Sequence, residues 1–328
     1  MTATPSAPLP GAPVPGAPVP GAPVPDAPVP DAPVPGAPVP GAPEATLATG
    51  PAAHGYRPGR TLRLRVELAR QLARRRTQIS MGLVVLLPVL LWIAFQLSRP
   101  GPASTSLTLV DLAKGSGPNF AVFALFASSN FLLVVVVALF FGDTVASEAS
   151  WSSLRYLLAA PVPRMRLLRQ KALVAAGLSL LAILLLPAAS LLVGSLAYGA
   201  SDLVSPTGES LSFGQAAGRL ALAALYLTLH LSWVAGLALL LSVSTDAPLG
   251  AVGGAVLTSI LSQILDTITA LEGLRDYLPT HFDLAWSDLL ASQIDWGDMT
   301  RGIFSALAYC AVFSALAGWR FAGKDITS

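Results

Sequence analysis

Cysteine is almost missing from this chain. Cys310 stands alone among 328 residues, which excludes an internal disulfide framework and a cysteine-built metal site. Charge is scarce too: Asp, Glu, Lys and Arg make up 12% of residues against 53% hydrophobic. That balance is too apolar for a soluble domain and typical of a polytopic membrane protein. Lysine is rare even among the cations, 3 against 17 arginines, and with the abundant Ala, Leu and Pro this points to a GC-rich bacterial genome. Catalytic signatures are missing as well. ATP hydrolysis by the chain itself would need a GxxxxGK[ST] loop wrapping phosphate oxygens in backbone N–H groups. The nearest glycine cluster, Gly115-Ser116-Gly117, lacks the lysine and reads as a turn. Neither HExxH nor GxSG occurs. His230 is the sole histidine within an apolar run, and Ser232, two residues on, points about 200° away on a helix and cannot bond to it. The chain is therefore expected to have no catalytic residues, no metal site and no cofactor of its own.

Proline is plentiful, but at one end. Residues 6–43 repeat a pentapeptide (GAPVP, DAPVP) in which alternate prolines remove backbone donors and favour extended polyproline-II, so no packed core can form. No charged-then-apolar opening marks a signal peptide. From Arg60 to Gln78 the pattern becomes helical. Leu62, Val66, Leu68, Ala69, Leu72 and Ala73 share one side, while Arg63, Glu67, Arg70 and Arg74 share the other. Such a helix is expected in the headgroup plane, its arginines reaching toward anionic lipid. Membrane entry follows at once, which disfavours a nucleic-acid patch.

Six segments have the roughly 20 apolar residues a bilayer core requires: 79–97, 120–141, 173–197, 219–241, 248–268 and 302–319. With both termini placed in the cytoplasm, the inner segments hold 15 of the 20 Lys and Arg residues, as the positive-inside tendency demands. Pro88 and Pro187 are expected to kink the first and third spans. Gly250 and Gly254 fit a GxxxG packing seam. The outer loop at 269–301 mixes six carboxylates with Trp286 and Trp296; it fits no EF-hand and reads as a solvated acidic surface with short interfacial helices. Asn130, His230, Gln263 and Asp266 are the polar groups inside the spans, candidates for a pathway or for interhelix bonds.

Residues 142–171, GDTVASEASWSSLRYLLAAPVPRMRLLRQK, separate two apolar runs and organise the rest. Leu154, Leu157 and Leu158 fall on one face of a short helix. Ser150 is its expected N-cap, and Pro161 and Pro163 end it. The stretch resembles the first cytoplasmic loop of type-2 ABC-exporter permeases: Glu148 at the end of the second span, Leu154-Arg155-Tyr156-Leu157-Leu158, Pro161, Arg164, and Lys171 opening the third span. Ser152-Ser153 stands where the family often has Gly-Thr.

The resemblance covers about residues 60–328 and leaves a tail, 1–59, outside. It implies an all-α polytopic membrane protein of about six transmembrane helices, with an N-terminal amphipathic elbow helix closed by Arg74, Arg75 and Arg76, and a cytoplasmic coupling helix over 151–160. It implies a permease of an ATP-driven exporter in the bacterial plasma membrane, working with a second permease copy or paralogue and an ABC ATPase subunit that carries ATP and Mg. Glu148 is expected to pair with an elbow arginine. A non-transporting anchor that recruits an ATPase or a cell-envelope factor is the alternative; it would share the same loop.

Overall fold

A computed structural model describes residues 64–97, 109–150, 164–205, 209–291 and 293–323, all within one compact unit, Arg57–Ser328. The repeat tail, Arg63, the 151–160 segment with Leu154, Arg155, Leu157 and Leu158, Pro161, and the Lys324-Asp325-Ile326 ending lie outside the described residues.

The described chain is helical apart from one small hairpin. A short helix α1 (Leu64–Leu72) turns at Ala73 and Arg74 into the first membrane-length helix, α2 (Arg75–Leu97). The predicted elbow helix thus ends six residues early, and Arg75 to Gln78 belong to the span. After α3 (Leu109–Ala113), the second apolar run folds as two successive helices, α4 (Gly117–Ser129) and α5 (Leu132–Ser150). Ser116 caps α4 with its hydroxyl, accepting from the Asn119 N–H, which neutralises one of the donors that every helix start leaves unbonded. Ser150 lies in the last turn of α5, its hydroxyl donating to the Ser147 carbonyl at 2.9 Å, and the helix it was expected to cap lies outside the described residues. Next come α6 (Arg164–Tyr198), a hairpin of β1 (Leu203–Val204) and β2 (Ser210–Leu211), then α7 (Phe213–His230), α8 (Ser232–Ser244), α9 (Pro248–Asp266) and α10 (Gly297–Ala322). Two 3₁₀ segments, Thr269–Tyr277 and Ala285–Leu290, lie between α9 and α10.

Among the described residues, six helical stretches are long and apolar enough to cross a membrane: α2, α5, α6, α7 with α8 as one run, α9 and α10. At 1.5 Å per residue the 35 residues of α6 rise about 52 Å, well beyond a hydrocarbon core of about 30 Å. About half of the excess is the rise of its first two turns, where Arg164, Arg166, Arg169 and Lys171 sit, so the polar start of α6 and the polar end of α5 project together from one end of the bundle. α2 and α6 run as single helices through Pro88 and Pro187, and breaks between successive helices lie at Asn130-Phe131 and Leu231.

Packing is closest where α4 meets α6. A Cβ on Gly194 would come within 2.8 Å of the Gly117 carbonyl and 2.9 Å of the Phe120 side chain, so only glycine lets these backbones approach. The GxxxG pair is used unequally. A Cβ on Gly254 would meet Leu241 at 3.0 Å, whereas Gly250 is in no tight contact.

Candidate functional site: a charged junction and a buried histidine–aspartate pair

The projecting end carries a network of ionic bonds. Glu148, in the last turn of α5, is 4% exposed, and one of its oxygens accepts from Lys171 Nζ of α6 at 2.5 Å and from Arg70 Nη2 of α1 at 2.6 Å. Lys171, itself 3% exposed, also reaches Glu67 of α1 at 3.4 Å, and Glu67 in turn bonds Arg70 and Gln71. One turn earlier on α5, Asp143 receives Arg76 at 2.6 Å and Arg74 at 3.1 Å. A cleft of about 370 Å³ opens among Arg70, Arg74, Arg75, Arg76, Asp143, Ser147 and Glu148. Burial alone would raise the Glu67 carboxyl; the charge of Lys171 and the bonds from Arg70 and Gln71 more than reverse this, leaving it below the ordinary glutamate value.

This geometry corrects the expected orientation of the elbow helix. Arg70 and Arg74 turn toward the α5 carboxylates rather than toward lipid headgroups. Gln71 is buried, while Leu64, Val66, Leu68 and Leu72 are exposed. Against a bundle whose neighbouring surface is acidic, the polar side of α1 faces in and its apolar side faces out. Arg75 remains exposed, and Arg164 donates to the Ala322 carbonyl at the end of α10.

A second cluster lies inside the bundle toward the opposite end. The Nε2 of His230, at the end of α7, is 2.7 Å from Asp283 Oδ1, and Tyr226, one turn back, donates to the Phe282 carbonyl at 2.6 Å. Tyr226 and His230 stack with ring centroids 5.4 Å apart. Gln263 of α9 donates to the Asn130 carbonyl at the α4–α5 interruption, 2.9 Å, and to Asp283 at 3.4 Å. Gly302 of α10 makes room: a Cβ there would lie 2.5 Å from the Tyr226 hydroxyl and 2.7 Å from Phe282.

Three of the four polar residues singled out from the spans are therefore linked: His230 and Gln263 both meet Asp283, which sequence reasoning missed, and Gln263 also reaches the backbone carbonyl of Asn130. Asp283 was counted with a solvated acidic surface, yet it dips into the bundle and its side chain is 12% exposed. Trp286 was expected at headgroup depth and is instead fully buried against Phe126, with ring centroids 4.5 Å apart. Asp266 belongs elsewhere, bonded to His281 at 2.6 Å and Arg275 at 3.4 Å. The i, i+4 spacing of Tyr226 and His230 put both on one helix face; nothing in the pattern showed which loop would meet them. Ser232 does not bond His230, and among the described residues no group of three or more His, Cys, Asp or Glu side chains could hold a metal ion.

The helical stretch from α1 to the end of α8 is also the part of the chain with a recognisable relationship. The model of the ABC-2 family transporter protein matches residues 64–243, more than half of the chain. The chain belongs to the ABC-2 transporter family. No sequence of a curated protein matches it. Membership makes this ABC-2 protein a multi-pass membrane permease subunit of an ABC transporter, a transport subunit rather than a nucleotide-binding domain, and implies an ABC ATPase as its partner. The matched region contains the whole Glu148 network as well as His230, while Gln263 and Asp283 fall after it.

Proposed function

We propose that this ABC-2 permease is the transmembrane half of an ATP-driven exporter, and that residues 151–160 pass the stroke of the ATPase into the bundle. ATP and Mg would be held by that ATPase. A second permease copy or paralogue would complete the path, lipids would bathe the exposed face of α1, and both termini would lie in the cytoplasm of a bacterial cell, with the 1–59 tail outside the 60–328 permease domain.

One observation carries the reading. Glu148 binds Lys171 and Arg70 at once, so the end of α5, the start of α6 and helix α1 are tied where the chain enters and leaves the 151–163 segment. A push on that segment would be delivered to three tied elements rather than absorbed by one loose end. A charge-assisted bond as deeply buried as that of Glu148 with Lys171 is costly to break singly, which suits a lever.

The test is purification of the tagged chain from mildly solubilised native membranes beside a Leu157→Asp variant. An ATPase retained by the wild type and reduced about tenfold or more in the variant, with equal membrane insertion, is the expected result. If the variant holds the ATPase as tightly as wild type, the coupling role is lost. If wild type retains no ATPase, the anchor reading for a cell-envelope factor takes first place. Orientation is checked in a Cys310→Ser background by adding Ser210→Cys, which should react with an impermeant maleimide on intact cells, whereas Arg166→Cys should not.

A further inference from the structure

The cleft of about 370 Å³ at the junction of α1, α2 and α5 holds more positive charge than its own carboxylates neutralise. Arg70, Arg74, Arg75, Arg76 and Lys171 surround Glu67, Asp143 and Glu148 there. Each of the three carboxylates already accepts from two of those cations. Arg75 lines the cleft and bonds no partner among the described residues. Arg76 gives one nitrogen to Asp143 and is 55% exposed, and a guanidinium with five N–H groups then has donors left over. The flanking chain brings no anion either: residues 57–63 and 151–163 contain neither Asp nor Glu.

Depth and the adjoining apolar surface indicate which anion fits. The 23 residues of α2 rise about 34 Å, slightly more than a hydrocarbon core of about 30 Å. Its first turn therefore falls at the level of the lipid phosphates. From Arg75 the same helix face continues through Ile79, Gly82, Leu83 and Leu86, all of them exposed. A Cβ on Gly82 would meet nothing within 4 Å, so the missing side chain leaves a shallow groove between Ile79 and Leu86. A soluble phosphate would use the arginines and leave this stripe idle. An anionic phospholipid uses both.

We infer that the cleft and the α2 stripe together bind an anionic phospholipid, its phosphate on Arg75 and Arg76 and one acyl chain in the groove at Gly82. Charge supplies the selection among lipids, about fivefold for one arginine near a membrane surface. Apolar burial supplies contact that all lipids share. The site requires neither an ATPase contact nor transport, so it stands or falls apart from the coupling role of residues 151–160.

The experiment reconstitutes the full chain in vesicles of equal parts phosphatidylglycerol and phosphatidylcholine, one lipid at a time carrying a diazirine on its acyl chain. Illumination is followed by peptide mapping. Adducts on 75–86 should form with phosphatidylglycerol in excess by about fivefold or more. Arg75→Gln should cut that excess about fivefold, and Arg75→Lys should keep it. Gly82→Leu, which fills the groove, should lower the adducts of both lipids there. Arg301→Gln, an exposed arginine outside the cleft, should change nothing. Equal labelling of 75–86 by the two lipids, or an excess that survives Arg75→Gln, would overturn the site. Loss of the excess on adding inorganic phosphate at constant ionic strength would overturn it too, in favour of a soluble anion. Arg75 leaves no partner stranded when it is replaced, and the wild-type map decides between the lipids whatever the variants do.

Discussion

The two polar clusters of this ABC-2 permease are built on opposite plans. At the α1 end, two carboxylates on α5 are shared among four cations drawn from α1, the turn after it, α2 and α6: Arg70, Arg74, Arg76 and Lys171. At the other end, a single carboxylate carried in by a loop meets one histidine and one amide. The first arrangement is redundant in its cations. The second has no spare partner, and it can be neutralised by a proton. A redundant ionic lattice suits elements that must stay together while moving, whereas a single neutralisable latch suits a loop that seals the bundle. The comparison can be broken at either end.

The largest effect should come from Glu148→Ala. It strands Lys171, 3% exposed, with Glu67 at 3.4 Å as its remaining ion-pair partner, and removing one member of a buried pair costs about 3–5 kcal/mol. Replacing both, Glu148→Leu with Lys171→Leu, should recover most of that, because a well-packed apolar pair replaces a buried ionic one at little or no loss. Denaturation of the purified chain in detergent measures both. If the double variant is as unstable as the single, the pair is not the unit holding α5 to α6. ATPase retention should suffer even in the stable double variant, since Arg70 keeps Glu67 on its own helix but loses its tie to α5.

Next in size is the latch. Asp283→Asn or His230→Gln should cost about 1.5–3 kcal/mol, the range for a hydrogen bond to a charged group, and should raise hydrogen exchange across 280–290 while leaving α1 unchanged. The pH dependence has a definite sign. Burial holds the Asp283 carboxyl above the ordinary aspartate value, although the His230 and Gln263 bonds and the charge of His230 pull it down. The docked loop therefore holds a proton that the undocked loop has lost. Docking should be firmest in acid and should weaken as pH rises from the ordinary aspartate value through the raised one. Asp283→Asn should flatten the profile, and firmer docking at higher pH would contradict the burial argument.

The sequence made the spans legible because a bilayer reads composition over about twenty residues, a local property. It made the α1 amphipathicity legible for the same reason, but not its direction. A wheel places Arg70 and Arg74 opposite Leu68 and Leu72, and whether the arginines turn to lipid or to protein depends on Asp143 and Glu148, nearly seventy residues or more away. The Glu148–elbow pairing could be expected only from the family resemblance. Asp283 was illegible because composition made its loop look solvated. Its burial rests on a cavity formed by Tyr226, Gln263 and Gly302, which are brought together by the fold alone. The interruptions at Asn130 and Leu231 carry no proline or glycine to announce them.

The smallest predicted effect sharpens the comparison most. Glu67 on α1 bonds Arg70, which is 45% exposed, so solvent screening limits the loss from Glu67→Gln to about 1 kcal/mol or less. Its pH sign is the reverse of the latch. The Glu67 carboxyl lies below the ordinary glutamate value because Lys171, Arg70 and Gln71 together outweigh its burial. Its contribution is therefore complete above the ordinary value and is lost as pH falls through the lowered one. Acid should loosen α1 from α5 and α6 while tightening the 280–290 loop. Hydrogen exchange on the same sample across a pH series reads both ends at once: α1 protection should fall with acid in wild type and follow a flatter course in Glu67→Gln. If both ends moved in the same direction, one of the two clusters would have its charges arranged otherwise than the distances imply.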